Sequence, residues 1–195
     1  MDDKQWLTDY FARYRQALLE TDVRGLLIQL KDWMRAAQEA GRKVIIAGNG
    51  GSAAMASHCA VDLTKNAGIR SVNFNEADLI TCLANDFGYE RWLEQALRFY
   101  ADPGDLVILI SSSGKSPNMA RAARYAVEKG LTVVTFTGFA PDNPLKQIGH
   151  LNFWVDSRAY NIIEMVHHMW LLAACDLIIG SAEYPARREE QYAAA

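Results

Sequence analysis

The sequence predicts a three-layer α/β/α sandwich on a mainly parallel, flavodoxin-like sheet, with a pair of helices added at the N-terminus. Three observations carry this. Residues 43–48, 105–110 and 131–136 are short apolar runs without polar alternation, the pattern of strands covered on both faces. Helical patterns separate them, as parallel strands require for their crossovers. Two of the runs end in glycine- or serine-rich turns that open the next helix, where such folds place their ligands.

Taken in order, Trp6, Tyr10, Phe11, Tyr14 and Leu18 recur at helical spacing, and Leu26, Leu27, Leu30, Trp33 and Met34 do so again. Gly41 is a natural stop for the second helix. The strand at 43–48 turns through Gly48–Ser52 into a helix reaching about Lys65. Residues 71–74 read as a weaker strand, and 78–84 and 90–100 as helices. The strand at 105–110 turns through 111–116 into a helix ending near Gly130, followed by the strand at 131–136 and a loop over 138–144. A fourth good strand at 151–155 and a long helix at 160–179 complete the pattern. Residues 1–41 are expected to form oligomer-building helices, 42–182 the sandwich, and 183–195, with Arg187-Arg188-Glu189-Glu190, a frayed tail, all within one structural domain.

The chain has 195 residues, 50% apolar and 22% charged, which suits a globular domain and excludes a disordered one. A net charge of −3 gives no overall attraction to nucleic acid or anionic lipid. The start, Met1-Asp2-Asp3-Lys4, lacks the pattern of a signal peptide, and the apolar stretch 169–179 is interrupted by Asp176 and short for a bilayer. Cys59, Cys82 and Cys175 are an odd, widely spaced set in apolar neighbourhoods, expected to be buried free thiols. A cytoplasmic protein is therefore expected.

The first turn, Gly48-Asn49-Gly50-Gly51-Ser52, leaves backbone amides free to face an anion. The second, Ser111-Ser112-Ser113-Gly114-Lys115-Ser116, offers hydroxyls and amides at a helix N-terminus, where the dipole favours a phosphate. Neither is G-x-x-x-x-G-K-[ST] or G-x-G-x-x-G, so nucleoside triphosphate and dinucleotide binding lose support. Two such turns at equivalent strand ends point to a phosphorylated small molecule.

These turns, with His58, Asp62, the run Leu83-Ala-Asn-Asp-Phe-Gly88 and the run Ile110-Ser-Ser-Ser-Gly-Lys-Ser-Pro-Asn118, resemble the phosphoheptose (sedoheptulose 7-phosphate) isomerases of the sugar isomerase (SIS) domain superfamily. The resemblance spans nearly the whole chain. It implies a homotetramer with active sites at subunit interfaces and a phosphate site on Ser52, Ser111, Ser112, Ser113 and Ser116, with Asn49, Gly50 and Gly51 beside it and Asp86 near the sugar hydroxyls. On the residues alone, Asp86 could equally cap the helix beginning near Glu90.

A ketose–aldose isomerisation through an enediol needs a base, an acid and a group to hold the developing charge. His58 and Asp62 share a helix face, a spacing that suits a metal half-site, a base with its orienting partner, or a surface pair. The resemblance implies a His and Glu here, the Glu acting as base and both binding zinc where zinc is present; Asp62 is one methylene shorter. In the last helix the family has a Gln and, eight residues on, a His facing the site. Anchored on Glu164-Met165, those positions are Ile163 and Leu171. His167 lies between them on the same stripe and is expected to replace the missing acid/base, with His168 as the alternative and Glu164 to orient it. Asp62, His167 and His168 are thus the catalytic candidates, and zinc, if present, could be held by His58, Asp62 and His167 or His168. Alternative functions are a non-catalytic SIS adaptor binding a protein partner, or an isomerase or sensor for another sugar phosphate.

Overall fold

The computed structural model describes residues 2–184, so the tail expected over 183–195, with its Arg187–Glu190 run, lies largely outside the described residues. Five strands, β1 (Val44–Gly48), β2 (Ser71–Val72), β3 (Leu106–Ser111), β4 (Thr132–Thr137) and β5 (Leu151–Trp154), form one sheet in the order β2-β1-β3-β4-β5. Every pairing is parallel. This is the flavodoxin-like order, with its switch point between β1 and β3.

Each strand sends alternate side chains to opposite faces. Val44, Ile46, Ile108, Ile110, Val134 and Phe136 pack in one core with α2 (Arg24–Glu39), α3 (Gly51–Lys65) and α8 (Tyr160–Ile179). Ile45, Ala47, Val107, Leu109 and Val133 pack in the other with α4 (Ala77–Phe87), α5 (Trp92–Tyr100), α6 (Pro117–Glu128) and α7 (Pro144–Ile148). Burying such a side chain is worth roughly 1.5–3 kcal/mol, so both faces explain why the runs carry no polar alternation.

Helix α1 (Asp3–Arg15) starts where Asp2 accepts a hydrogen bond from the Gln5 amide at 2.7 Å, and continues into a π-helical turn at Gln16–Glu20. None of its residues is buried, although Trp6 and Phe11 are large and apolar. Helix α8 ends at Gly180, whose φ of 84° closes it in the left-handed region. It is long and apolar enough to cross a membrane, which the 169–179 stretch alone did not suggest, but half of its apolar window is buried inside the chain, where it packs on α2 and α3.

Several expectations are corrected. The strand at 71–74 shortens to two residues because the Asn73 side chain accepts from the Asn75 amide at 3.0 Å and turns the chain. Helix α7, not anticipated, is started by Asn143, which accepts from the Lys146 amide, with Pro144 in the first turn. Asn85 and Asp86 lie in the last turn of α4 rather than between helices, so Asp86 caps nothing. Cys82 is exposed, while Cys59 and Cys175 are buried with their sulfurs 3.7 Å apart.

Candidate active site

The two turns lie side by side at the switch point, since Gly48 pairs with Ile110 and neighbouring strands run about 4.8 Å apart. After β1 the chain doubles back so tightly that a Cβ on Gly48 would lie 2.6 Å from the Ser52 Cβ. Asn49 and the buried Asn118 exchange amide hydrogen bonds of 3.1 and 2.9 Å, and the Tyr89 hydroxyl donates to Asn49 at 3.3 Å. The first turn is thereby tied to the N-terminus of α6 and to the loop before α5. Ser52 is buried in the first turn of α3.

The serine turn is braced from within and below. The Ser111 hydroxyl donates to Ser116 at 3.2 Å, and the Lys115 amide donates to the Ser113 hydroxyl at 3.2 Å. Ser116 occupies the cap position of α6 but makes no capping hydrogen bond. The Ser112 hydroxyl is buried and has no partner among the described residues. Gly114, at φ 63°, packs directly on the Asn143 amide, leaving no space for a side chain. Asn143 in turn donates to the carbonyls of Ala140 at 2.9 Å and Gly138 at 3.3 Å. The result is a braced loop that brings serine hydroxyls to the N-terminus of α6, an arrangement that could hold an anion.

Helix α8 divides into stripes at i, i+4 spacing. Ile163, His167 and Leu171 are wholly buried. Met165, Met169, Ala173 and Leu177 are exposed. Glu164, His168, Leu172 and Asp176 are half-buried, on the stripe that meets α3.

His167 therefore does not reach the site. It lies between Phe136 and Trp170, with Nε2 2.9 Å from the Thr137 carbonyl; that oxygen only accepts, so Nε2 carries the proton. Burial pushes its pKa down to about 4. His168 is the histidine the structure brings to α3. Its Nε2 is 2.9 Å from His58 Nδ1, and His58 Nε2 is 3.3 Å from Asp62 Oδ2. Asp62 Oδ1 accepts from the Asn66 amide at 3.1 Å. Burial lowers the His168 pKa, with the neighbouring His58 acting in the same direction.

Glu164, expected to orient His168, instead lies over the first glycine turn. Its carboxyl carbon is 2.8 Å from where a Cβ on Gly51 would stand, so only glycine leaves room for it there. Ile163 and Leu171, where the resemblance would put the family's Gln and His, are core positions here, and Glu164, one residue beyond Ile163, is the polar group of α8 that lies at the first turn. Asn143 and Tyr89 are absent from the sequence reading, Asn118 enters it only within a quoted run, and Glu164 only as an anchor and as a residue to orient His168. The i, i+4 relation of Glu164 to His168 was the one available signal.

Asp86 is exposed and, among the described residues, hydrogen-bonds only to neighbours on its own helix, Asn85 at 2.9 Å and the Cys82 thiol at 3.9 Å. Tyr89, not Asp86, is the residue of this region that touches a turn.

A zinc ion on His58, Asp62 and a histidine of α8 does not fit this arrangement. The two nitrogens of His58 point to different partners at opposite sides of the ring, so no point lies near 2.0–2.2 Å from all three groups. His167 is removed by burial. Among the described residues no group of three or more His, Cys, Asp and Glu side chains is arranged to hold a metal ion.

Comparison with known proteins gives a consistent set of likenesses. Residues 8–138 match the family described as SIS domain. The phosphoheptose isomerase of Burkholderia pseudomallei is 40% identical over 104 residues, which is 50% of this chain and 53% of that protein, so the match spans about half of that relative's length. The phosphoheptose isomerase of Fusobacterium nucleatum is 32% identical over 136 residues, covering 67% of this chain and 70% of that protein. The solved structure of a phosphoheptose isomerase from Francisella tularensis superposes with a TM-score of 0.85, covering 93% of this chain and 100% of that chain at 23% identity.

Proposed function

The chain belongs to the phosphoheptose isomerase family of SIS domains, and from that premise we propose that it is an aldose–ketose isomerase acting on sedoheptulose 7-phosphate. The product is D-glycero-D-manno-heptose 7-phosphate, formed through an enediol in the cytoplasm as a step towards activated heptose for surface polysaccharide or a natural product. The reading is supported by the line of contacts His168–His58–Asp62 between α8 and α3 and by the glycine-rich and serine-rich turns side by side at the switch point.

In this reading the phosphate takes the hydroxyls of Ser111, Ser112, Ser113 and Ser116 and the free amides at the start of α6, with Ser52 bordering it. Its binding energy orients the other end of the sugar for proton transfer. His168 protonates the C2 oxygen as the enediol forms. His58 and Asp62 supply the charge that makes the imidazole able to give and recover that proton. His167 has no part in the chemistry, and no step requires a metal.

The absence of polar groups at 163 and 171 would favour the adaptor alternative, but both are core positions here, and Glu164 and His168 keep polar groups on the neighbouring stripe that meets α3. The exposed apolar residues of α1 and α8 favour the homotetramer of the resemblance, with sites at subunit interfaces.

The test is incubation with sedoheptulose 7-phosphate and separation of ketose from aldose phosphate, beside a thermal melt. Turnover is expected, and substrate at 100 times its dissociation constant should stabilise the protein by about 2.7 kcal/mol. Absence of both would contradict the proposal.

A further inference from the structure

The isomerisation moves two protons, and the His168–His58–Asp62 path accounts for only one of them. A hydrogen on C1 must leave as a proton and one must return to C2, while a second proton moves from O1 to O2. A group that takes a proton from carbon needs a free lone pair over the reacting carbons.

Asp62 is poorly suited to that task. One of its oxygens faces His58 and the other accepts from Asn66. It also lies eleven positions beyond Gly51 on α3, about 16 Å along the helix at 1.5 Å per residue. Glu164 differs on both counts. Its carboxylate stands against Gly51, in the mouth of the first turn, and one helical turn before His168. Among the described residues no cation or hydrogen-bond donor engages it, and burial raises its pKa.

The charge on Glu164 also orients the substrate. A phosphate would be repelled from the Gly51 side and is directed to the serine turn on β3. The carbonyl end of the sugar is left on the side of Glu164 and His168.

We propose that Glu164 is the base that carries the carbon-bound proton, and that Asp62 acts only through His58. This rests on the isomerase reading above. The carboxylate takes the C1 proton, the C–H electrons form the C1–C2 double bond, and the C2 oxygen takes a proton from His168. In the second half O1 gives its proton back to His168, C1 becomes the carbonyl, and the double-bond electrons take the proton from Glu164 at C2. Both groups end in their starting states, so no co-reactant is consumed.

The experiment compares wild type, Glu164→Gln, Glu164→Asp and Asp62→Asn in heavy water, following exchange at C1 of sedoheptulose 7-phosphate and turnover by NMR. Thermal melts with and without substrate check folding and binding. Glu164→Gln is expected to slow both C1 exchange and turnover by about 100-fold or more, with the substrate-induced thermal shift retained. Its residual rate should lose the acid limb of the pH profile, Glu164→Asp should recover part of the rate, and Asp62→Asn should lose less. A folded Glu164→Gln within about fivefold of an active wild type overturns the assignment and leaves the isomerase reading standing. A wild type without exchange or turnover overturns both.

Discussion

Glu164, which lies over Gly51, and His167 show how two neighbouring stripes of one helix divide their work. A methyl group on Gly51 would meet only the far end of a flexible glutamate, and Gly51 occupies the first position of α3, where alanine is well tolerated. Gly51→Ala is therefore expected to melt within a few degrees of wild type while turnover falls about tenfold or more, because the displaced carboxylate leaves its reacting position. An unchanged rate would mean that the position of Glu164 does not matter. His167 is the opposite case. Its folded pKa of about 4 lies below the ordinary value near 6.5, so as the pH falls the unfolded chain takes up this proton first. Its contribution is intact above pH 6.5 and is lost between about 6.5 and 4, at up to roughly 1.4 kcal/mol per pH unit. His167→Leu should flatten that part of the stability profile, measured by denaturant unfolding. It should also cost about 1–3 kcal/mol at neutral pH by orphaning the Thr137 carbonyl, and leave turnover within a few-fold.

At the scale of elements, the parallel strands and the turns after β1 and β3 are legible in the sequence because their signals are local: continuous β-rich runs, glycines and clustered serines. The face of α8 is not. Its twenty residues include apolar side chains on every side, so hydrophobic periodicity does not say which stripe meets the sheet. A one-residue error in that choice exchanges His167 for His168 and hides Glu164. The support beneath the serine turn is equally illegible, because Asn143 lies 29 positions beyond Gly114 and only the fold brings them together. Asn143→Ala removes the bonds to Gly138, Ala140 and Lys146 at once. Its expected signature is a rise in KM for the sugar phosphate larger than the fall in kcat, with a stability loss of about 1–3 kcal/mol. Steady-state kinetics with matched melts would check both.

At the scale of the molecule, the chain leaves apolar surface that its own fold does not use. Trp6 is 54% exposed, Phe11 62% and Met169 49%, and α1 buries none of its residues. A homotetramer would cover these faces, and light scattering is expected to give four times the 21.8 kDa chain mass. Phe11→Glu together with Met169→Glu should reduce that mass, and a wild-type monomer at micromolar concentration would contradict the assembly. The assembly matters to the site, because the exposed stripe of α8 adjoins the one bearing Glu164 and His168. On the proposed function, this arrangement performs an enediol isomerisation in which Glu164 carries the carbon-bound proton and His168 the oxygen-bound one. Proton NMR of sedoheptulose 7-phosphate with the protein in heavy water tests it most directly. The expected product is an aldose heptose phosphate bearing deuterium at C2. Unchanged substrate with unexchanged C1 protons after long incubation would contradict it.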